Sequence, residues 1–399
     1  MAAKFASPPR GSTLTKVTPF TVTVTEEAVQ ELRAAIAHSR LPPVTYEGIQ
    51  QDRKYGITRD WLEQAGVFWR NKFDWRACEK HMNTFPQFKA LIIDDDGKEY
   101  SIHFAALFSK KADAVPVMLL HGWPGSFLEF LPIMDRLRNS HTPESLPYHI
   151  VVPSLPGYGF SSQPPLDSDF RLEDVARILN RLMVSLGLGT GYVAQGGDIG
   201  SKVARILAVD HENCKAVHIN FCIIPQPETP IGTLSEPEKI GLERTAAFKR
   251  MNSSYALQHA TKPSTIGLVL SSSPLALLAW VAEKFLDWTD EDLPLEIILE
   301  SATLYWLTNT ISTSLYPYRQ LFTPGVVAVH ENPKWYITKP FGYSWFPKEL
   351  APIPRSWVAT TGKLIYYRQH NSGGHFAALE KPDVLLKDLE DFISEVWKP

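Results

Sequence analysis

Tyr192-Val193-Ala194-Gln195-Gly196-Gly197-Asp198-Ile199-Gly200 is the stretch that decides how this chain is read. A short apolar run enters two glycines, one acidic residue and a third glycine, and the spacing over 199–209 is helical. Strand, tight turn and helix with one side chain at the apex make a nucleophile elbow, written with Asp where an esterase carries Ser. Small residues flank the apex because a strained turn needs backbone room where a side chain would clash. A carboxylate held there attacks carbon and leaves an ester. A glycine-rich turn with one Asp also fits an ordinary βα connection, so the rest of the chain has to separate the two.

Outward from the elbow, strand and helix patterns alternate. Strands are predicted over 115–120, 149–153, 192–195 and 216–221, and helices over 126–139, 172–186 and 199–209. Such alternation implies βαβ units and a parallel sheet whose ligand site lies at the carboxyl ends of the strands. The rhythm breaks at Pro225-Gln226-Pro227-Glu228-Thr229-Pro230, and the chain from there to about 319 is almost wholly helical in pattern, like an inserted cap. Strand character returns over 335–339 and 363–368, and a helix over 382–397 closes the chain. Upstream, 26–39 and 60–73 have helical spacing, and 91–108 reads as a hairpin turning at Asp95-Asp96-Gly97. Asp94-Asp95-Asp96 lacks the other ligands of a calcium loop, so the turn reading stands. The expected organisation is an N-terminal extension with the first hairpin over 1–105, a core over 106–224, a helical cap over 225–330 and the rest of the core over 331–399.

With 399 residues, 44% hydrophobic and 21% charged, the chain has the composition of a soluble globular enzyme with a sizeable core. A net charge of −3 offers no footprint for nucleic acid or an anionic membrane. Cys78, Cys214 and Cys222 form no C-x-x-C pair, which argues against a disulfide framework or a zinc site and for reduced thiols in a cytoplasmic protein. Residues 1–27 hold no continuous apolar stretch of the signal or anchor kind. The greasiest region, 265–288, is broken by Ser271-Ser272-Ser273-Pro274 and Glu283-Lys284, short of the ~20 apolar residues a spanning helix needs.

An ester on Asp198 requires a base to activate water. His375, in Gly373-Gly374-His375-Phe376, sits in a late loop before the last helix, where the elbow's nucleophile–acid–histidine order puts the base. Glu349, in Phe346-Pro347-Lys348-Glu349-Leu350, fits the orienting acid between them. His121-Gly122-Trp123-Pro124-Gly125 ends the strand at 120; its loop would supply the Trp123 N–H to an oxyanion hole completed by the Ile199 N–H. Pro124 fixes that loop's shape, with a cis Trp123–Pro124 bond expected.

Taken in order, these motifs resemble the epoxide hydrolases of the α/β-hydrolase fold, and within them the fungal soluble enzymes related to the microsomal type. The matching stretches are 121–130, 152–161, 195–200, 261–267, 339–349 and 373–380, and the similarity runs through the N-terminal extension. The resemblance implies a mostly parallel central sheet, a helical cap and hydrolysis of epoxides to vicinal diols. Asp198 carries over as nucleophile, His375 as base and Glu349 as its orienter. Two cap tyrosines should hydrogen-bond the epoxide oxygen: Tyr255, in Tyr255-Ala256-Leu257-Gln258-His259-Ala260, and Tyr318 before Arg319, with Tyr316 as the alternative to Tyr318. The implied partners are a small apolar epoxide and water, with no cofactor or metal, a role in detoxification and pairing through the cap into a homodimer. A haloalkane dehalogenase would carry an indole N–H directly after the nucleophile, where this chain has Ile199. A non-catalytic ligand-binding protein on the same fold tends to lose a member of the triad. Trp280, Phe285, Trp288 and Trp306 are candidates for an apolar tunnel or for core.

Overall fold

A computed structural model describes residues 2–9, 17–228, 232–323 and 325–398. Thr229 and Pro230 of the proline-rich break lie outside the described residues. Among the described residues nine strands form one sheet: β1 (Val17–Phe20), β2 (Gln87–Ile93), β3 (Glu99–Leu107), β4 (Val115–Leu120), β5 (Tyr148–Pro153), β6 (Tyr192–Gly196), β7 (Cys214–Ile219), β8 (Ile337–Trp345) and β9 (Gly362–Gln369). Their order is β1-β2-β3-β5-β4-β6-β7-β8-β9. The first three pair antiparallel, as do β3 and β5, and every pairing from β5 to β9 is parallel. Burial explains the sequence pattern: all residues of β4 and β6 are buried, so a strand covered on both faces reads as a continuous apolar run.

The core helices are α1 (Glu26–His38), α2 (Arg59–Asn71), α3 (Trp75–Met82), α4 (Leu131–Ser140), α5 (Leu172–Ser185) and α6 (Asp198–Asp210). A helical run comes after β7: α7 (Glu236–Ala247), α8 (Ser254–Thr261), α9 (Pro263–Ser271), α10 (Pro274–Asp287), α11 (Leu295–Thr308) and α12 (Pro317–Phe322). Short α13 (Arg355–Val358) and α14 (Ala377–Glu380) precede α15 (Pro382–Val396). Among the described residues no single helix is long and apolar enough to cross a membrane; α9 and α10 pass only as a pair, bent by 117°.

The N-terminal helices brace that helical run. α1 and α2 pack on α10, and α3 on α11. The Trp69 indole N–H on α2 donates to Thr303 Oγ1 on α11 at 2.8 Å, both buried. Gly66 faces α10, where a Cβ would stand 2.9 Å from the end of the Leu275 side chain.

Some expectations need correction. The segment expected as one helix over 126–139 opens with a 3-10 turn, Phe127–Phe130, and becomes α-helical only at Leu131, beside Pro132 in its first turn. β8 continues to Trp345 rather than ending at 339; a register shift between Ile337 and Phe341 absorbs Pro340, which has no N–H to donate. β1 and α3 carried too few patterned residues to be anticipated. The acidic turn after β2 is a hairpin, with the Asp94 N–H on the Lys98 carbonyl at 2.9 Å. Asp94 is bound by the Arg177 guanidinium through two 2.7 Å hydrogen bonds, which hold its carboxyl below the usual range despite burial.

Candidate active site

At the carboxyl end of β6 the chain turns so tightly that Asp198 takes a left-handed φ of 43°, a conformation that costs roughly 1–3 kcal/mol for a residue with a side chain. The glycines around it are dictated by close approach. A Cβ at Gly200 would lie 2.0 Å from the Leu120 carbonyl oxygen, and one at Gly196 would lie 2.4 Å from the Gly200 backbone. Gly122 leaves room for the Asp198 carboxylate itself, since a Cβ there would stand 2.1 Å from Asp198 Oδ1. The Trp123 N–H donates to that oxygen at 2.8 Å. Ile199 lies in the first turn of α6, where a backbone N–H has no partner four residues back, so its donor is left for the site. The Trp123–Pro124 peptide is cis, as the sequence suggested.

His375 and Glu349 arrive from the loops after β9 and β8, neighbouring parallel strands whose carboxyl ends lie side by side. A bridge between Lys348 and Gly374 ties the two loops. His375 Nδ1 donates to Glu349 Oε1 at 2.5 Å, and the Leu350 N–H donates to the same oxygen at 2.6 Å. His375 Nε2 stands 3.4 Å from Asp198 Oδ2. Glu349 is fully buried and His375 nearly so. Burial alone would lower the His375 pKa, but the Glu349 charge and hydrogen bonds to both carboxylates raise it to about 10. Burial likewise pushes Asp198 up, and the hydrogen bond and charge of His375, with Lys202 behind, hold it below the usual carboxylate range. At neutral pH the two therefore form an ion pair.

Above them, α8 and α12 pack together and bring Tyr255 and Tyr318 edge to face, with ring centroids 5.8 Å apart. Trp123 stacks on Tyr255 at 5.5 Å and meets the edge of Tyr318 at 5.9 Å. The Tyr318 hydroxyl is buried without a hydrogen-bond partner. Burial first, then Asp198 for Tyr255 and Tyr255 for Tyr318, raises both phenols well above their ordinary pKa, so they stay protonated donors. Tyr316 points elsewhere: its hydroxyl donates to the Pro156 carbonyl at 3.0 Å and its ring packs on Phe170. Of the four aromatics singled out in sequence, Trp288 contacts the site, with its ring 5.1 Å from His375 and 5.3 Å from Tyr255; Phe285 stacks on Phe376 at 4.4 Å beside it.

The helical run is fastened to the loop that carries His375. The His375 N–H donates to the Trp288 carbonyl at 2.8 Å, the Gly373 N–H to Asp290 Oδ2 at 2.8 Å, and the Asp290 N–H to Glu380 Oε2 at 2.7 Å.

Sequence reasoning missed three contributors. His121 accepts the Leu155 N–H on Nε2 at 3.1 Å, leaving Nδ1 to donate to the Gly122 carbonyl at 3.1 Å. Burial lowers its pKa to about 4, so it is a neutral staple under the Trp123 loop. Asn220, after β7, lines the cavity beside Asp198, and its Oδ1 accepts from Gln195 Nε2 at 2.9 Å. Glu129 lines the same cavity, although nothing in the sequence separates it from the other acidic residues.

Comparison with known proteins identifies the family. The profile for the epoxide hydrolase N terminus matches residues 17–130, and that for the α/β hydrolase fold matches 115–227. The solved epoxide hydrolase of Aspergillus niger is 50% identical, superimposes with a TM-score of 0.93, and the match covers 99% of this chain and 100% of that one. A relative from Dothistroma septosporum, provisionally named an epoxide hydrolase, is 45% identical over 95% of this chain and 90% of its own length. Epoxide hydrolase 1 of Sus scrofa is 32% identical, with 94% and 88% covered. The chain is a member of the epoxide hydrolase family of the α/β-hydrolase fold.

Proposed function

We propose that this epoxide hydrolase converts small apolar epoxides to vicinal diols through a covalent ester on Asp198. The observation that carries the reading is one carboxylate meeting the Trp123 N–H at 2.8 Å and His375 Nε2 at 3.4 Å, beneath two buried phenols. Tyr255 and Tyr318 donate hydrogen bonds to the oxirane oxygen, where negative charge develops. An Asp198 oxygen attacks a ring carbon, the C–O bond breaks, and the alkoxide takes a proton from a phenol. Esterification removes the charge on Asp198. It thereby removes the hydrogen bond and part of the field that keep His375 protonated, and the imidazole passes its proton back to the phenolate and becomes a base. His375, oriented by Glu349, then takes a proton from water as the water attacks the Asp198 carboxyl carbon. The oxyanion rests on the Trp123 and Ile199 N–H groups, the ester C–O bond breaks at the acyl carbon as His375 returns the proton to the leaving oxygen, the diol leaves, and the Asp198 carboxyl gives its proton to His375 to restore the ion pair. The scheme needs no cofactor or metal.

Residues 225–330 serve as the cap over this site, on a core of 106–224 and 331–399 braced by the extension 1–105. The aromatic walls formed by Trp123, Trp288 and the two tyrosines suit an apolar substrate, and disposal of reactive epoxides in the cytoplasm is the role we assign. Exposed Leu257, Leu268 and Val269 on α8 and α9 support pairing of two copies through the cap.

The test is a single turnover of styrene oxide in ¹⁸O-water with enzyme in excess. Label entering the Asp198 carboxylate, with unlabelled oxygen in the first diol, supports the ester. Label going straight into the diol would reassign Asp198 as a base. His375→Gln should accumulate the ester, visible as an added mass on the protein.

A further inference from the structure

Lys202 follows Asp198 by one helical turn on α6 and is only 4% exposed. Every residue of that helix from Ile199 to Ala208 is buried, so its positions would ordinarily carry apolar side chains. A cation at Lys202 is opposed twice. Burial removes its water, and the amino-terminal end of a helix, with its partial positive charge, disfavours a further one. Burial indeed pulls the Lys202 ammonium below the usual lysine range. Packing alone does not explain a lysine in this place.

The ammonium stands behind Asp198. Its Nζ donates to the Asp198 backbone carbonyl at 3.5 Å, an oxygen that the Ser201 hydroxyl also reaches, at 2.5 Å. It lies 4.6 Å from the centre of the Phe221 ring, and that ring meets His375 edge to face at 5.4 Å. The charged and titratable groups facing it are Asp198 and Arg205 on its own helix, Cys222 after β7, Glu349 after β8 and His330. Burial keeps the Cys222 thiol and the His330 imidazole neutral. Arg205 is spent on the Trp335 and Thr361 carbonyls and adds a further positive charge to the surroundings of Lys202. The carboxylates that act on Lys202 are thus both members of the triad, Asp198 and Glu349. Of the other acids near His375, burial raises Glu129 to about 8 and Glu380 to about 7, so in mildly acidic solution neither carries the charge that would hold His375 protonated.

We propose that Lys202 is a positioning residue that acts through Asp198 and His375: its buried ammonium keeps the Asp198 carboxylate ready for attack and, once Asp198 is an ester, repels the proton that His375 must release to become a base. The reading rests on the ester mechanism above and supplies the switch between its two halves. In the free enzyme the carboxylates of Asp198 and Glu349 face the cations His375 and Lys202. Esterification takes Asp198 out of that set. With His375 still protonated, two cations would then share the Glu349 charge in a buried site; loss of the imidazole proton restores the balance. Without Lys202, Glu349 alone would hold the proton on His375 after the ester had formed.

The test is the pH dependence of ester hydrolysis, from about pH 5 to about pH 9, in rapid-quench single turnovers of styrene oxide read by mass spectrometry of the protein. The proteins compared are the parent, Lys202→Met, Lys202→Gln, Lys202→Arg and His375→Gln. Met fills much the same volume without a charge to desolvate, and Gln is a second neutral form should Met disturb the fold. The acid limb of hydrolysis reports His375 in the ester. A neutral residue at 202 lets His375 keep its proton to higher pH, so the limb should move up by about one pH unit, and hydrolysis at a pH below it should fall about tenfold. The acid limb of alkylation, set by Asp198, should move in the same direction. Lys202→Arg keeps the charge and should keep the parent's limb. Hydrolysis that is slower at every pH with its limb unmoved is a structural effect and overturns the proposal, as does a limb that moves as far in Lys202→Arg as in Lys202→Met. If His375→Gln fails to accumulate ester, the mechanism itself fails; if it does and the limb stays in place in both neutral variants, only the role of Lys202 fails.

Discussion

Removing the phenol hydroxyls one at a time asks which tyrosines touch the epoxide. In Tyr255→Phe and Tyr318→Phe the rings stay, and with them the stack on Trp123 at 5.5 Å and the edge contact at 5.9 Å, so the fold should be unaffected. Each variant loses one donor aimed at a developing oxyanion in a buried site. Such a donor is worth about 2.7–4 kcal/mol, or roughly 100- to 1000-fold in rate. The loss should fall on formation of the Asp198 ester and spare its hydrolysis. Tyr316→Phe is the internal control: its hydroxyl is spent on the Pro156 carbonyl at 3.0 Å, so about 1 kcal/mol of stability should go and alkylation should hold. Burial keeps the Tyr255 and Tyr318 phenols protonated well beyond their ordinary pKa, so no alkaline loss of alkylation through pH 9 should come from them. The assay is rapid-quench single turnover with styrene oxide, reading alkylated protein by mass. A Tyr318→Phe protein that alkylates at the parent rate, or a Tyr316→Phe protein slowed by two orders of magnitude, would refute the assignment.

Gly200→Ala should lower alkylation by at least about 100-fold and destabilise the protein by about 3 kcal/mol, because its Cβ, 2.0 Å from the Leu120 carbonyl, must push β4 away from the elbow; urea unfolding and single-turnover rates check both. Thr303→Val strands the Trp69 indole N–H in the core and should cost roughly 1–3 kcal/mol in the same unfolding assay with the ester chemistry preserved. Asp388 is buried, which would raise its pKa, but hydrogen bonds from His370 and Ser344 hold it below its ordinary value. Its stabilisation should be complete above about pH 4 and be lost as pH falls through the depressed native value, so Asp388→Asn should be less stable at pH 7 and show a flatter acid limb in stability against pH.

The elbow and the parallel core were legible because each is local: a glycine pattern or a buried strand. The cis Trp123–Pro124 bond was legible for the same reason. For the second tyrosine the sequence pointed to Tyr318 with Tyr316 left open, because the two sit two residues apart at the start of a six-residue helix and only packing sends the Tyr316 hydroxyl to Pro156. Glu129 was hidden by the helix expected over 126–139; the 3-10 start changes which residues face inward, and sequence periodicity carries no sign of it. The extra length of β8 was hidden by Pro340, tolerated where the register slips.

The three hydrogen bonds that join Trp288 and Asp290 to His375, Gly373 and Glu380 have a consequence for movement of the helical run. A hinged lid could swing α10 outward only by dragging His375 off Asp198 and breaking the braces from α1 and α2 on its other side. Opening of that kind and catalysis exclude each other in this molecule. The seating of the helical run and the 3.4 Å approach of His375 to Asp198 therefore stand or fall together.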